Sequence, residues 1–351
     1  MNEEKYQKLN YYLNGVFKEL ENNDAFLLRN ILNLARLSDD YVHLTDNYNF
    51  KIYNKQNNLT FNDVYLLARE IVEGIDKNYL EYYDKLIENG ILDFSYNHEY
   101  PVSQFLWNDE KEIRLININR NFNYIDVTSL IHEFMHYMNH IDNKLSNNRY
   151  LLTEAISIYF EEYAKRYLIQ KGISKEKLFL NERIMSTKRT ASNFNWYSLI
   201  FLAYEKFGNI DNNTYKFLNE YFLSIEKEEF EEECSKALEL CEKEYKKYKF
   251  KYKMETEDVN LNSFENNLFE RLSGFVNKDY RYILGTYIAY YALEHSSLEK
   301  MTYLCNHINE YQYSKMDPID VLKYANIDIY ELDIEIIEKV ILENKTKRKE
   351  K

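Results

Sequence analysis

Residues 129–140 read SLIHEFMHYMNH, which sets His132 and His136 four positions apart with Glu133 directly after the first. On a helix, positions i and i+4 lie one above the other on the same face. Both imidazoles can therefore reach one ion at about 2.0–2.1 Å, the usual zinc–nitrogen bond length. Glu133 is rotated by about 100° from His132, at 3.6 residues per turn. It cannot share their ligand position, but it can approach a water on the metal. Two ligands and one general base are the division of labour of a zinc hydrolase. A pattern this short also arises by chance, so a third ligand decides. Glu154, 18 residues past His136, is the candidate. In a chain with 58 acidic residues its plainer reading is a solvated helical glutamate. Its neighbours Leu151, Leu152, Ala155 and Ile156 are apolar, however, and a carboxylate buried among them needs a partner. Three protein ligands with a fourth position open describe catalytic rather than structural zinc. Glu161, two turns further on, is a candidate to hydrogen-bond a histidine ligand. His140, one turn past His136, is expected on the helix surface or supporting the ligands, not as a ligand itself.

These residues need two helices and a turn. Asp126, ahead of VTSLIHEF, fits an N-cap, and Leu130, Ile131, Phe134 and Met135 supply apolar faces that bury the histidine helix. The polar DNKLSNNR lets the chain turn before a second helix, 151 to about 170, that stops at Gly172. Upstream, 63–90 repeats apolar residues at helical steps, among them Leu66, Ile71, Ile75, Leu80 and Leu86, and ends at Gly90. Between 91 and 122 the pattern changes to a small strand or ribbon. Its core, EIRLINI, slips in alternation between Leu115 and Ile116, which weakens the strand reading or suggests a bulge. Downstream, WYSLIFLAYEKFG, the charged stretch 226–258 and YRYILGTYIAYYALEH all read as helix.

Composition sets the frame. The 351 residues can bury a sizeable core, and only seven glycines and two prolines interrupt them, so a mainly α fold is expected. The expected division is an N-terminal helical region, 1–90, and a catalytic region, 91–351, within one compact unit. A net charge of −13 argues against nucleic acid as a partner, because phosphate contacts need a basic face. No stretch approaches the roughly 18 apolar residues of a membrane span, and the acidic N-terminus lacks signal-peptide character, so a cytoplasmic protein is expected. Three cysteines without ligand spacing, with Cys234 and Cys241 in a helical pattern, read as reduced helix residues. The oligomeric state is not readable.

NFNYIDVTSLIHEFMHYMNH resembles the metal helix of the oligoendopeptidase F branch of the thimet oligopeptidase family. TEAISIYFEEY is similar to that branch's Glu-x-Ala-Ser-x-Phe-x-Glu segment, with Glu154 matching the third zinc ligand and Ser157 and Glu161 at the family spacing. AREIVEGIDKNYLEYYDKLIENGILDF and DYRYILGTYIAYYAL resemble the helix before the catalytic ribbon and the C-terminal Tyr-x-Tyr-x-x-Gly helix. The resemblance runs from roughly 60 to 295 in four patches. It implies a gluzincin-type helical zinc-peptidase fold with a substrate cleft, a Zn²⁺ cofactor, and hydrolysis of short peptides. The strand near 113–118 would line the cleft and pair with the substrate backbone. Tyr280 and Tyr282 match tyrosines that bind substrate and stabilise the oxyanion. Met135 stands where the family has glycine, and no histidine lies between 141 and 294. The likeness to aminopeptidase N-related enzymes is looser, with Tyr197 as their tyrosine. A zinc-binding helical scaffold without catalysis is the remaining alternative.

Overall fold

The computed structural model describes residues 1–23, 25–46, 58–97, 102–108, 111–140, 150–173, 191, 194, 198–221, 225–255, 261–310, 313, 316–328 and 335. They are mainly helical, as composition predicted, and include a three-stranded sheet. In chain order come α1 (Glu3–Asn23), α2 (Ala25–Asp46), α3 (Phe61–Ile75), α4 (Tyr79–Glu88), β1 (Leu92–Ser95), β2 (Gln104–Asn108) and β3 (Ile113–Asn119). These are followed by α5 (Ile125–His140), α6 (Tyr150–Gln170), α7 (Thr214–Tyr221), α8 (Lys227–Glu255), α9 (Leu261–His295), α10 (Leu298–His307) and α11 (Pro318–Leu322). No described helix is long and apolar enough to cross a membrane.

The chain divides into two compact units, Met1–Thr45 with Lys188–Ile283, and Asp46–Thr187 with Leu284–Lys351. No boundary falls near residue 90, where the sequence suggested one. The reason is packing: α3 and α4 lie before that point yet pack with each other, and α3 packs on α5. Tyr83 and Tyr79 of α4 set ring edges against Phe134 of α5, with centroids 5.2 and 6.3 Å apart. In the first unit α1 packs on α8, burying Leu9, Leu13, Val16 and Leu20 at alternating four- and three-residue steps. Cys234 and Cys241 of α8 are buried free thiols, and burial pushes both up to about 12, so they are unreactive at neutral pH.

The second unit holds the residues singled out above. The sequence predicts one helix over 63–90, but the structure breaks it into α3 and α4. Thr60 and Asp63 form a capping box at the start of α3. Asp76 ends α3 in an extended conformation, and its Oδ1 accepts from the Asn78 N–H at 2.9 Å, a local turn that competes with the helix. Gly90 follows α4 with φ +63°, a conformation that glycine adopts without steric cost.

The sheet order is β1-β3-β2, with β3 parallel to β1 and antiparallel to β2. The strand expected to pair with substrate, 113–118, is thus the central one, with β1 and β2 bonded on either side of it. Pairing with a further strand is left to the edge strands, β1 and β2. The expected bulge is also absent, since the β2–β3 register runs unbroken from Gln104↔Asn117 to Asn108↔Ile113. Leu115, opposite Leu106, shares the outer face, whereas Ile116 and Ile118 are buried with Phe105 on the face that α5 covers. Apolar residues on both faces imitate a slipped alternation.

The corner from β3 into α5 is held by charge. Asp126 is not the N-cap; it lies inside the first turn and is fully buried. Its carboxylate accepts from the main-chain N–H groups of Asn121 at 2.6 Å and Phe122 at 3.1 Å, and from Arg120 Nε at 2.8 Å. In the turn before the helix, Asn123 Oδ1 accepts from Ile125 N–H at 2.8 Å. Arg120 also donates to the Leu59 carbonyl and lies over the Phe94 and Phe122 rings. One guanidinium therefore ties β1, the segment before α3 and the start of the histidine helix together.

Candidate metal centre

α5 is fixed by burial on nearly every side. Leu130, Ile131, Phe134 and Met135 are all without exposure, and α6 is the helix it contacts most. The residues left facing the gap between α5 and α6 are polar. The segment 141–149, which was expected to turn the chain, lies outside the described residues. The outcome is that His132, His136 and Glu154 form a group of metal-capable donors, as their spacing predicted.

The donor distances test whether zinc fits. His132 Nε2 and His136 Nε2 are 3.1 Å apart, and Glu154 Oε2 stands 3.7 and 3.6 Å from them. Tetrahedral donors at about 2.0–2.1 Å from a zinc ion are separated by about 3.3–3.4 Å. The triangle formed here has a circumscribed radius of about 2.0 Å, so one small ion can bond all three corners. Two nitrogens and one carboxylate oxygen are the donor types of a catalytic zinc site.

Glu161 takes the role its spacing suggested. Its Oε2 accepts from His132 Nδ1 at 3.0 Å. With that N–H committed to a carboxylate, neutral His132 presents a lone pair at Nε2 toward the centre. Two imidazole nitrogens facing each other at 3.1 Å need a cation or a proton between them. Burial lowers the His132 pKa, but the hydrogen bond to Glu161 and the charges of Glu133, Glu161 and Glu154 outweigh it and push the ring up to about 9. Without metal these charges favour the protonated form of His132.

Glu133 lies beside the donors and is 7% exposed. Burial raises its pKa; the two histidines and a hydrogen bond from the Phe105 main-chain N–H pull it down, and Glu154 raises it. The net direction is upward.

Other expectations fared differently. His140 is buried, not on the helix surface; its Nδ1 donates to the His136 carbonyl at 2.7 Å and its ring lies 4.6 Å from that of Trp107. Met135 is buried in the α5 core. Tyr280 and Tyr282 are on the part of α9 that belongs to the first unit, Tyr280 as a core residue and Tyr282 half-buried. Tyr197 lies outside the described residues.

Three contributors were missed by sequence reasoning. Lys165 lies 2.7 Å from Glu161 Oε1 and 2.9 Å from Glu162 Oε1. Its spacing from both glutamates was a legible signal, but only burial separates it from an ordinary surface pair. Gly285 of α9 lies against the third donor: a Cβ there would stand 3.3 Å from the Ala155 nitrogen and 3.4 Å from the Glu154 Cβ. The Phe105 N–H had no signal at all, because only tertiary structure brings a strand edge to a helix. Set against models of protein families, curated proteins and solved structures, the chain matches none.

Proposed function

We propose that this chain is a zinc-dependent metallopeptidase that hydrolyses short peptides, with His132, His136 and Glu154 as metal ligands and Glu133 as general base. The observation that carries the reading is the convergence of three donors at 3.1, 3.6 and 3.7 Å beside a buried glutamate that is not one of them. Zinc, when bound, supplies Lewis acidity toward the scissile carbonyl and makes water nucleophilic near neutral pH. The Glu133 carboxylate accepts the proton of the attacking water and returns it to the leaving amine nitrogen. Glu161 holds His132 with Nδ1–H directed away from the centre and Nε2 toward it. An extended peptide pairs through main-chain hydrogen bonds with β2, an edge strand of the described sheet.

The test is Glu133→Gln. Zinc content should remain near one per chain while cleavage of a fluorogenic peptide library falls by about 10²–10⁴-fold. A variant that cleaves as fast as the parent removes Glu133 from the mechanism. If the parent binds one zinc yet cleaves no library member, the chain is a metal-containing scaffold instead.

A further inference from the structure

We propose that Lys165 is a positioning residue of the metal centre, acting through Glu161 on the tautomer and orientation of His132. The inference rests on the zinc reading above. Lys165 is 3% exposed, on an inward face of α6, with its ammonium between Glu161 and Glu162. Glu162 is itself only 2% exposed.

Glu161 has one fixed partner on each oxygen. Oε2 accepts from His132 Nδ1 at 3.0 Å, and Oε1 faces Lys165 Nζ at 2.7 Å. Rotating the carboxylate to serve one partner better loses the other. The ammonium approaches the oxygen remote from His132, so it restrains Glu161 without competing for the ring N–H. Lys165 lies one turn along the same helix, at i+4 from Glu161 and i+3 from Glu162, so the restraint is built on rigid backbone.

Removing the ammonium changes what Glu161 can do. Glu133, Glu154 and Glu161 already act on His132, and Glu154 also stands 3.6 Å from His136. Without Lys165, Glu161 can swing inward as a surplus donor or turn away from the imidazole. Either movement frees the His132 ring to rotate and lets Nδ1–H exchange with Nε2–H, which blocks the donor atom. Loss of support behind a metal ligand typically weakens metal binding by about 10–100-fold.

The experiment measures zinc affinity of the full chain by competition with a chromophoric chelator, with circular dichroism confirming the fold of each variant. Lys165→Met should bind zinc about 10–100-fold more weakly than the parent. Glu161→Gln should weaken it to a similar degree, and the double variant should be no weaker than Glu161→Gln alone, because both act through one carboxylate. Lys165→Arg, which keeps the charge and can bridge both glutamates, should recover most of the affinity. A purely structural lysine would lower the melting temperature while leaving the zinc affinity of the folded chain unchanged. That outcome, or independent additive effects in the double variant, overturns the proposal. Should Lys165→Met not fold, Glu162→Gln is compared with Glu162→Gln/Lys165→Met, where the second buried carboxylate no longer needs a counter-charge, and the same drop is required. A parent that binds no zinc defeats the metal-centre reading itself. A parent that binds zinc with a Lys165→Met affinity equal to its own defeats only the role of Lys165.

Discussion

Replacing Gly285 sets helix propensity against packing at Glu154, a proposed metal ligand, and the distances decide the outcome. Alanine in a helix interior gains about 1 kcal/mol over glycine. The added Cβ would lie 3.3 Å from the Ala155 nitrogen and 3.4 Å from the Glu154 Cβ, each a few tenths of an ångström inside comfortable contact. The first of these is main chain and cannot rotate away, so α6 must shift slightly. Overpacking of this kind costs about 1–3 kcal/mol. Gly285→Ala is therefore expected to change stability by no more than about 2 kcal/mol, because its two effects oppose. Gly285→Leu adds three more heavy atoms to the same gap and should lose at least about 3 kcal/mol. Urea unfolding of the chelator-treated protein gives these values. Zinc titration then reads the site: displacement of the Glu154 backbone should weaken zinc binding in Gly285→Ala even where stability is nearly unchanged. If Gly285→Leu is as stable as the parent and binds zinc equally well, the close approach of α9 to the Glu154 turn is not what the geometry implies.

Three further outcomes follow from the same site and its supports. Arg120→Met leaves the fully buried Asp126 without its cationic partner and should cost about 3–5 kcal/mol by urea unfolding; a loss under about 1 kcal/mol would show that the two main-chain N–H groups suffice. In the metal-free chain, the proton on His132 stabilises the fold fully below about pH 6.5, and this contribution is lost as pH rises toward about 9, because the folded value lies above the unfolded one. Melting temperature should fall across that window in the parent, more than in His132→Asn, and equal slopes would contradict the electrostatics assigned to the cluster. Because zinc displaces that proton, its affinity should rise about tenfold per pH unit over the same range, measured by chelator competition, and a flat profile would mean that His132 is already neutral.

The sequence by itself determined the helical class and the donors of the centre. Few glycines and prolines leave long helices, and His132, Glu133 and His136 share a helix whose geometry follows from local spacing alone. Gly90 and Gly172 marked the ends of α4 and α6, and both adopt positive φ. Glu154 and Glu161 were legible because helical spacing and apolar neighbours restrict where a carboxylate can point. Long-range pairing was not legible. Local pattern finds a strand in 113–118 but cannot tell a central strand from an edge one, since that depends on which partners bond on either side. The same limit applied to Asp126, whose partners fold back from the preceding turn, and to Asp76, where a side-chain hydrogen bond interrupts an otherwise continuous helical pattern. Lys165, Gly285 and the Phe105 N–H gain their roles from burial and from contacts between separate elements. Periodicity records which face of an element is apolar; only tertiary packing decides what that face meets, and here it decided what surrounds the proposed metal ligands.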